Sequence, residues 1–134
     1  MPATPATSQP PRAIGVLTVD DQAIFRAAAR DVIDATPGFE SVGEVASGLE
    51  ALAASDALRP DLVLMDVRMP GIDGIEAARQ LRARRPETVI VLVSVEEGDE
   101  MDAAVQRCGA VTFIRKQKLR PDVLARVWAS HGRH

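Results

Sequence analysis

The sequence predicts an α/β domain built on a doubly wound, five-stranded parallel sheet with helices on both faces. Three observations predict it. Short apolar runs alternate five times with stretches of helical period between residues 13 and 131, as in parallel sheets joined by right-handed crossover helices. The runs that begin at Ala13, Leu62 and Val89 are continuously apolar, which suits strands buried on both faces. Pro37-Gly38, Pro60, Pro86 and Gly109 then punctuate the helical stretches, where stop signals belong.

Residues 1–11, MPATPATSQPP, are rich in Pro, Thr and Ala and nearly uncharged. They lack apolar periodicity and are expected to form a disordered leader, with the domain over residues 12–134. AIGVLTV is the first strand and runs into Asp20. In the helix that follows, Ile24, Ala28 and Val32 recur every four residues, with Phe25 and Ile33 widening the stripe. FESVGEVA alternates loosely and reads as the second strand. GLEALAASDAL is helical, with Leu49, Leu52 and Ala53 on one face. LVLM starts the third strand and leads into Asp66; the next helix turns Ile75, Ala78 and Leu81 inward. VIVLVS, residues 89–94, is the fourth strand, and the helix after it carries Met101, Ala104, Val105 and Cys108 on one side. VTFI is the fifth strand, and Leu119, Val123, Leu124, Val127 and Trp128 form the stripe of the last helix.

Composition excludes several functions. A net charge of −3 offers no general attraction to nucleic acid or to anionic membranes. An aromatic content of 3% is too low for a base-stacking platform. The single cysteine, Cys108, forms no intramolecular disulfide, which fits a reducing compartment. No basic segment precedes an apolar one at the N-terminus, and no apolar run approaches the ~20 residues of a membrane span. The expectation is a cytoplasmic protein that itself contacts neither nucleic acid nor membrane.

Ligands of such sheets bind outside the carboxyl ends of the strands. The first strand ends at Asp20-Asp21, the third at Asp66 and the fourth at Ser94, and Lys116 follows the fifth. Singly, each has a structural reading. An Asp at a strand–helix junction is commonly an N-cap; Asp66 could form an Asx-turn; Ser94 could be a turn residue, and Lys116 part of a solvated charge run. Together they have a chemistry. Three carboxylates at one edge raise one another's pKa unless a cation joins them. Lys116 supplies one positive charge, and Mg²⁺, which takes one or two carboxylates with waters and phosphate oxygens, supplies two. A carboxylate so placed can attack phosphorus and form an acyl phosphate.

The set resembles the receiver domain of two-component response regulators. It is carried by VDD at residues 19–21, LMDVRMPGIDG at 64–74, VLVS ending at Ser94 and FIRK ending at Lys116. The likeness covers about residues 13 to 131, and its tone is most like receivers of the subfamily with helix-turn-helix output. It implies a flavodoxin-like fold of strand order 2-1-3-4-5. It implies Asp66 as phosphoacceptor, with Mg²⁺ held by Asp21 and Asp66, by Asp20 through water and by the backbone carbonyl of Arg68. Lys116 and Ser94 would contact phosphoryl oxygens. Ser94 and Phe113 would then shift together and alter the surface of the fourth helix, fifth strand and fifth helix. The implied partner is a histidine kinase or phosphotransfer protein, and a homodimer is allowed.

Departures from the pattern concern the rim. Val95 stands where a small residue is usual and would narrow access to Asp66. Gln117 stands where a cis proline is common. Arg68 and Glu96 occupy positions that tune attack of water, and an ion pair between them would shield the phosphate. A haloacid-dehalogenase-type phosphohydrolase would need an Asp two residues past the nucleophile, where this chain has Arg68. A phosphate-independent interaction module is the remaining alternative within the fold. No linker or helix-turn-helix follows ASHGRH, so a stand-alone receiver is expected over the N-terminal fragment of a DNA-binding regulator.

Overall fold

Each apolar run becomes a strand and each periodic stretch a helix. The computed structural model describes residues 12–69, 71–95 and 99–132. The leader expected over residues 1–11 and the tuning residue Glu96, with its expected pairing to Arg68, lie outside the described residues. In chain order the elements are β1 (Ile14–Val19), α1 (Ala23–Ala35), β2 (Phe39–Val45), α2 (Gly48–Leu58), β3 (Leu62–Asp66), α3 (Gly74–Arg84), β4 (Val89–Ser94), α4 (Asp99–Cys108), β5 (Thr112–Arg115) and α5 (Pro121–His131). The five strands are parallel in the order 2-1-3-4-5, as the resemblance implies.

Alternation of side chains divides the core into two layers. Val16, Leu62, Leu64, Val89, Val91, Val93 and Ile114 face α1 and α5, where they meet Ala29, Ile33 and Leu124. Leu17, Val19, Val63, Met65, Ile90 and Leu92 face α2, α3 and α4, where Leu52, Leu81, Met101 and Cys108 cover them. Strands β3 and β4 are buried throughout. The edge strand β2 is half-buried along almost its whole length. Its register against β1 slips at Val42, which leaves that residue unpaired between Ser41 and Gly43. The slip accounts for its loose alternation in the sequence.

Two helix faces differ from expectation. On α1 the inward row is Phe25, Ala29 and Ile33, whereas Ile24 is 87% exposed and Ala28 is exposed. On α2 the inward residues are Ala51, Leu52 and Ser55, and Leu49 is 65% exposed. Both helices are so rich in alanine that a second stripe, rotated by one residue, fits the four-residue period equally well. The corrected phase of α1 is measurable by urea unfolding. Ile33→Ala is expected to cost about 2–5 kcal/mol, and Ile24→Ala to stay within about 0.5 kcal/mol of the wild type. The reverse ranking would restore the expected face.

Candidate functional site

β1, β3 and β5 deliver three polar side chains to one edge. Asp66 and Lys116 continue the rows Leu62–Leu64 and Ile114 and so fall on the α1/α5 side of the sheet. Ser94 continues the row Ile90–Leu92 on the other side, where Phe113 is also packed.

Lys116 Nζ lies 2.6 Å from Asp20 Oδ2 and 3.7 Å from Asp66 Oδ1. Asp20 is fully buried, and Asp66 and Ser94 nearly so. Asp20 Oδ1 also accepts the Gln22 backbone N–H at 2.8 Å. The capping alternative for Asp21 therefore fails: Gln22 is the N-cap of α1, and it is Asp20 that takes the turn N–H. Asp21 remains exposed. Asp66 does form the turn contact suggested for it, a long one, accepting the Arg68 N–H at 3.4 Å.

The loop beyond Asp66 closes tightly. Gly74 N–H donates to the Val67 carbonyl at 3.0 Å. A Cβ at Gly74 would collide with the Asp66 carbonyl oxygen, so glycine is required where the loop passes over the Asp66 backbone. Asp73 then caps α3 by accepting the Glu76 N–H at 2.9 Å.

Burial pushes the Asp66 carboxyl up to about 6, and the negative charge of Asp20 adds to the push. Lys116 and the Arg68 N–H pull it back, and Asp21 raises it slightly further. Carboxylate oxygens of Asp20, Asp21 and Asp66 lie within 4.8 Å of one another. Such a hard, oxygen-only donor set suits Mg²⁺, and a cation there would relieve the repulsion that adds to the effect of burial on Asp66.

On the rim, Val95 is 62% exposed and Arg68 is exposed. Gln117 sits in a 3₁₀ turn, Lys116–Lys118, and no peptide bond among the described residues is cis. Two residues that touch the site have no site role in the sequence reading, which places Phe25 only in the core stripe of the first helix. The Phe25 ring centroid is 4.7 Å from Lys116 Nζ, and Arg26 Nη1 donates to the Asp20 carbonyl at 2.8 Å. Their one signal is position: α1 starts directly after the acidic pair, so its first turn borders the site.

The model of the response regulator receiver domain matches residues 16–127. A protein-glutamate methylesterase/protein-glutamine glutaminase of Thermotoga maritima is 42% identical over 106 residues, 78% of this chain and 31% of the relative. Response regulator GacA of Pseudomonas viridiflava is 39% identical over 103 residues, 77% of this chain and 48% of the relative. The signal receiver domain of the putative response regulator NarL from Mycobacterium tuberculosis superimposes with a TM-score of 0.81 at 30% identity, over 90% of this chain and 98% of that domain. The chain thus spans about a third to a half of the length of the curated relatives it matches. Among the described residues no helix is long and apolar enough to cross a membrane.

The raised Asp66 makes stability depend on pH. The folded chain keeps that proton up to about pH 6, whereas the unfolded chain releases it near 3.8. Between those values the folded state binds more protons, so stability falls as pH rises. Without divalent cation, the loss from this group is expected to be on the order of 2 kcal/mol between pH 4 and 7. Asp66→Asn should flatten that part of the profile and be the more stable protein at pH 7. Urea midpoints read at each pH check this, and superimposable profiles for the two proteins would contradict it.

Proposed function

This chain belongs to the response regulator receiver domain family, and we propose that Asp66 is its phosphoacceptor, charged by a histidine kinase or a phosphotransfer protein. The observation that carries the reading is the clustering of three carboxylates at the strand ends, two of them paired with one ammonium, with Asp66 raised to about 6. Above that pH the carboxylate prevails, so the nucleophile is in its reactive form near neutrality.

An Asp66 carboxylate oxygen attacks the phosphorus of the donor. The P–N bond to the donor imidazole breaks and its electron pair leaves with the ring, giving an acyl phosphate on Asp66. Mg²⁺ is a general cofactor of the family; bound here, it would neutralise charge on the phosphoryl oxygens. Asp21, Asp66 and the Arg68 carbonyl are its proposed protein ligands. Both oxygens of Asp20 are already engaged, by Lys116 and the Gln22 N–H, which favours its acting through water. Lys116, 3.7 Å from Asp66 Oδ1, pairs with one phosphoryl oxygen, and the Ser94 hydroxyl donates to another.

Movement of Ser94 toward the phosphate frees room for Phe113 to turn inward. A cavity of ≈ 310 Å³ lined by Asp102, Val105, Gln106, Val111, Thr112 and Phe113 lies between α4 and β5, and Phe113 is only half-buried beside it. The surface of α4, β5 and α5 is thereby the proposed output, read by a partner or by a second copy. The greater length of the relatives favours a second reading of that output, in which the receiver governs a further part of one longer protein.

With Mg²⁺ and a small acyl-phosphate donor, intact mass is expected to rise by one phosphoryl group in the wild type. Asp66→Asn should gain none, and chelation of the metal should abolish the gain. An unlabelled wild type, or a labelled Asp66→Asn, would sink the assignment. Val95 and Arg68 shield the acyl phosphate from water, so the label should persist for longer than a few seconds and be shed faster by Val95→Ala. Loss within a few seconds from the wild type would count against shielding.

A further inference from the structure

Phe25 stands where an apolar core meets a buried charge. It packs on the α1/α5 core layer, and its ring lies 4.7 Å from Lys116 Nζ. The Lys116 side chain is 11% exposed, so little water reaches its ammonium. That group has three N–H donors, and two directions go to the carboxylates of Asp20 and Asp66. The flank against Phe25 meets the face of an aromatic ring, which attracts a desolvated cation through its quadrupole.

We propose that Phe25 is a positioning residue, whose ring face holds the Lys116 ammonium over Asp66 while it passes from Asp20 to a phosphoryl oxygen. The proposal rests on the reading of Lys116 as the phosphoryl partner. Its physical content is a difference in directionality. A carboxylate fixes an ammonium along particular hydrogen bonds, whereas a ring face attracts it over a broad area. Lys116 can therefore leave Asp20 Oδ2 and swing toward the phosphate without losing its third contact. Lysine has a flexible four-carbon stem, and an aliphatic side chain at this position would fill the space without restraining the charge.

The decisive substitution keeps the shape of the ring and removes its negative face. Phe25 is replaced by phenylalanines carrying one, two or three ring fluorines. The rate of labelling by a small acyl-phosphate donor with Mg²⁺ is then read beside the melting temperature. The rate is expected to fall stepwise, by about two- to fivefold at full fluorination, while the melting temperature hardly moves; the factor corresponds to about 0.4–1 kcal/mol at 1.36 kcal/mol per tenfold. In Lys116→Met the same series should make no difference. A flat series in the Lys116 protein, or an equal decline in Lys116→Met, overturns the proposal. A readout independent of phosphorylation is the proton spectrum of the metal-free protein. The Lys116 ε-methylene should be shifted upfield by the ring current and return toward its ordinary position in Phe25→Leu. An unshifted ε-methylene in the wild type also overturns the proposal. A wild type that shows the shift yet never takes a phosphoryl group would instead defeat the phosphoacceptor reading.

Discussion

The ion pair between Lys116 and Asp20 is the constraint around which the edge of the sheet is organised. Asp20 is completely buried, and a carboxylate so placed is tolerable only with a cation and further donors around it. The cation comes from the end of an edge strand, β5, whereas Asp20 follows β1, two strands further in than β4. Reaching it takes Lys116 past the ends of β4 and β3, and therefore past Asp66. The Gln22 N–H on one Asp20 oxygen and Arg26 on its carbonyl hold the other partner still. A charge needed to bury one acid is thus delivered beside a second acid, whose own burial raises it to about 6.

The sheet places the proposed phosphoacceptor and the proposed switch residues on different faces. Asp66 and Lys116 belong to rows that face α1 and α5, and Ser94 and Phe113 to rows that face α2, α3 and α4. Among the described residues the two layers form separate clusters, divided by the sheet itself. The link runs along the strand ends. Ser94 is paired in register with Arg115, the neighbour of Lys116 in the chain. Phe113, three residues before Lys116, is paired with Leu92, two before Ser94. A phosphoryl group held by both Lys116 and Ser94 would draw together the tips of two adjacent strands, and the residue poised to respond lies on the second of them. The proposed coupling would be short and confined to the strand ends.

Most of the architecture was legible because it rests on two strong signals. Continuous apolar runs located β1, β3 and β4, and β4 falls on the residues expected of it, Val89–Ser94. Strand-end polarity located Asp20, Asp21, Asp66, Ser94 and Lys116, all of which stand at the same edge of the sheet. The difference in burial within the acidic pair was not legible. Adjacent aspartates differ in sequence only by position, yet one is fully buried and the other exposed. Gly74 was visible as part of a motif, but its reason, the passage of the loop over the Asp66 carbonyl, exists only once the chain has folded back.

The misread face of α1 and the missed contact of Phe25 with the site have a single cause. A stripe through Ile24, Ala28 and Val32 makes Phe25 a marginal core residue. The observed helix is rotated by one residue, about 100°, which sends Ile24 to solvent and turns Phe25 inward. What chooses between the two phases is the site, more than the alanines of the helix. Arg26 must point back to the Asp20 carbonyl, and that places its neighbour Phe25 beside the end of β5, against Lys116. The larger aromatic ring also buries more apolar area than isoleucine in the same row. The polar clamp and the apolar gain therefore select the same rotation, and the helix that packs the core correctly is also the helix that furnishes the ring beneath the ammonium.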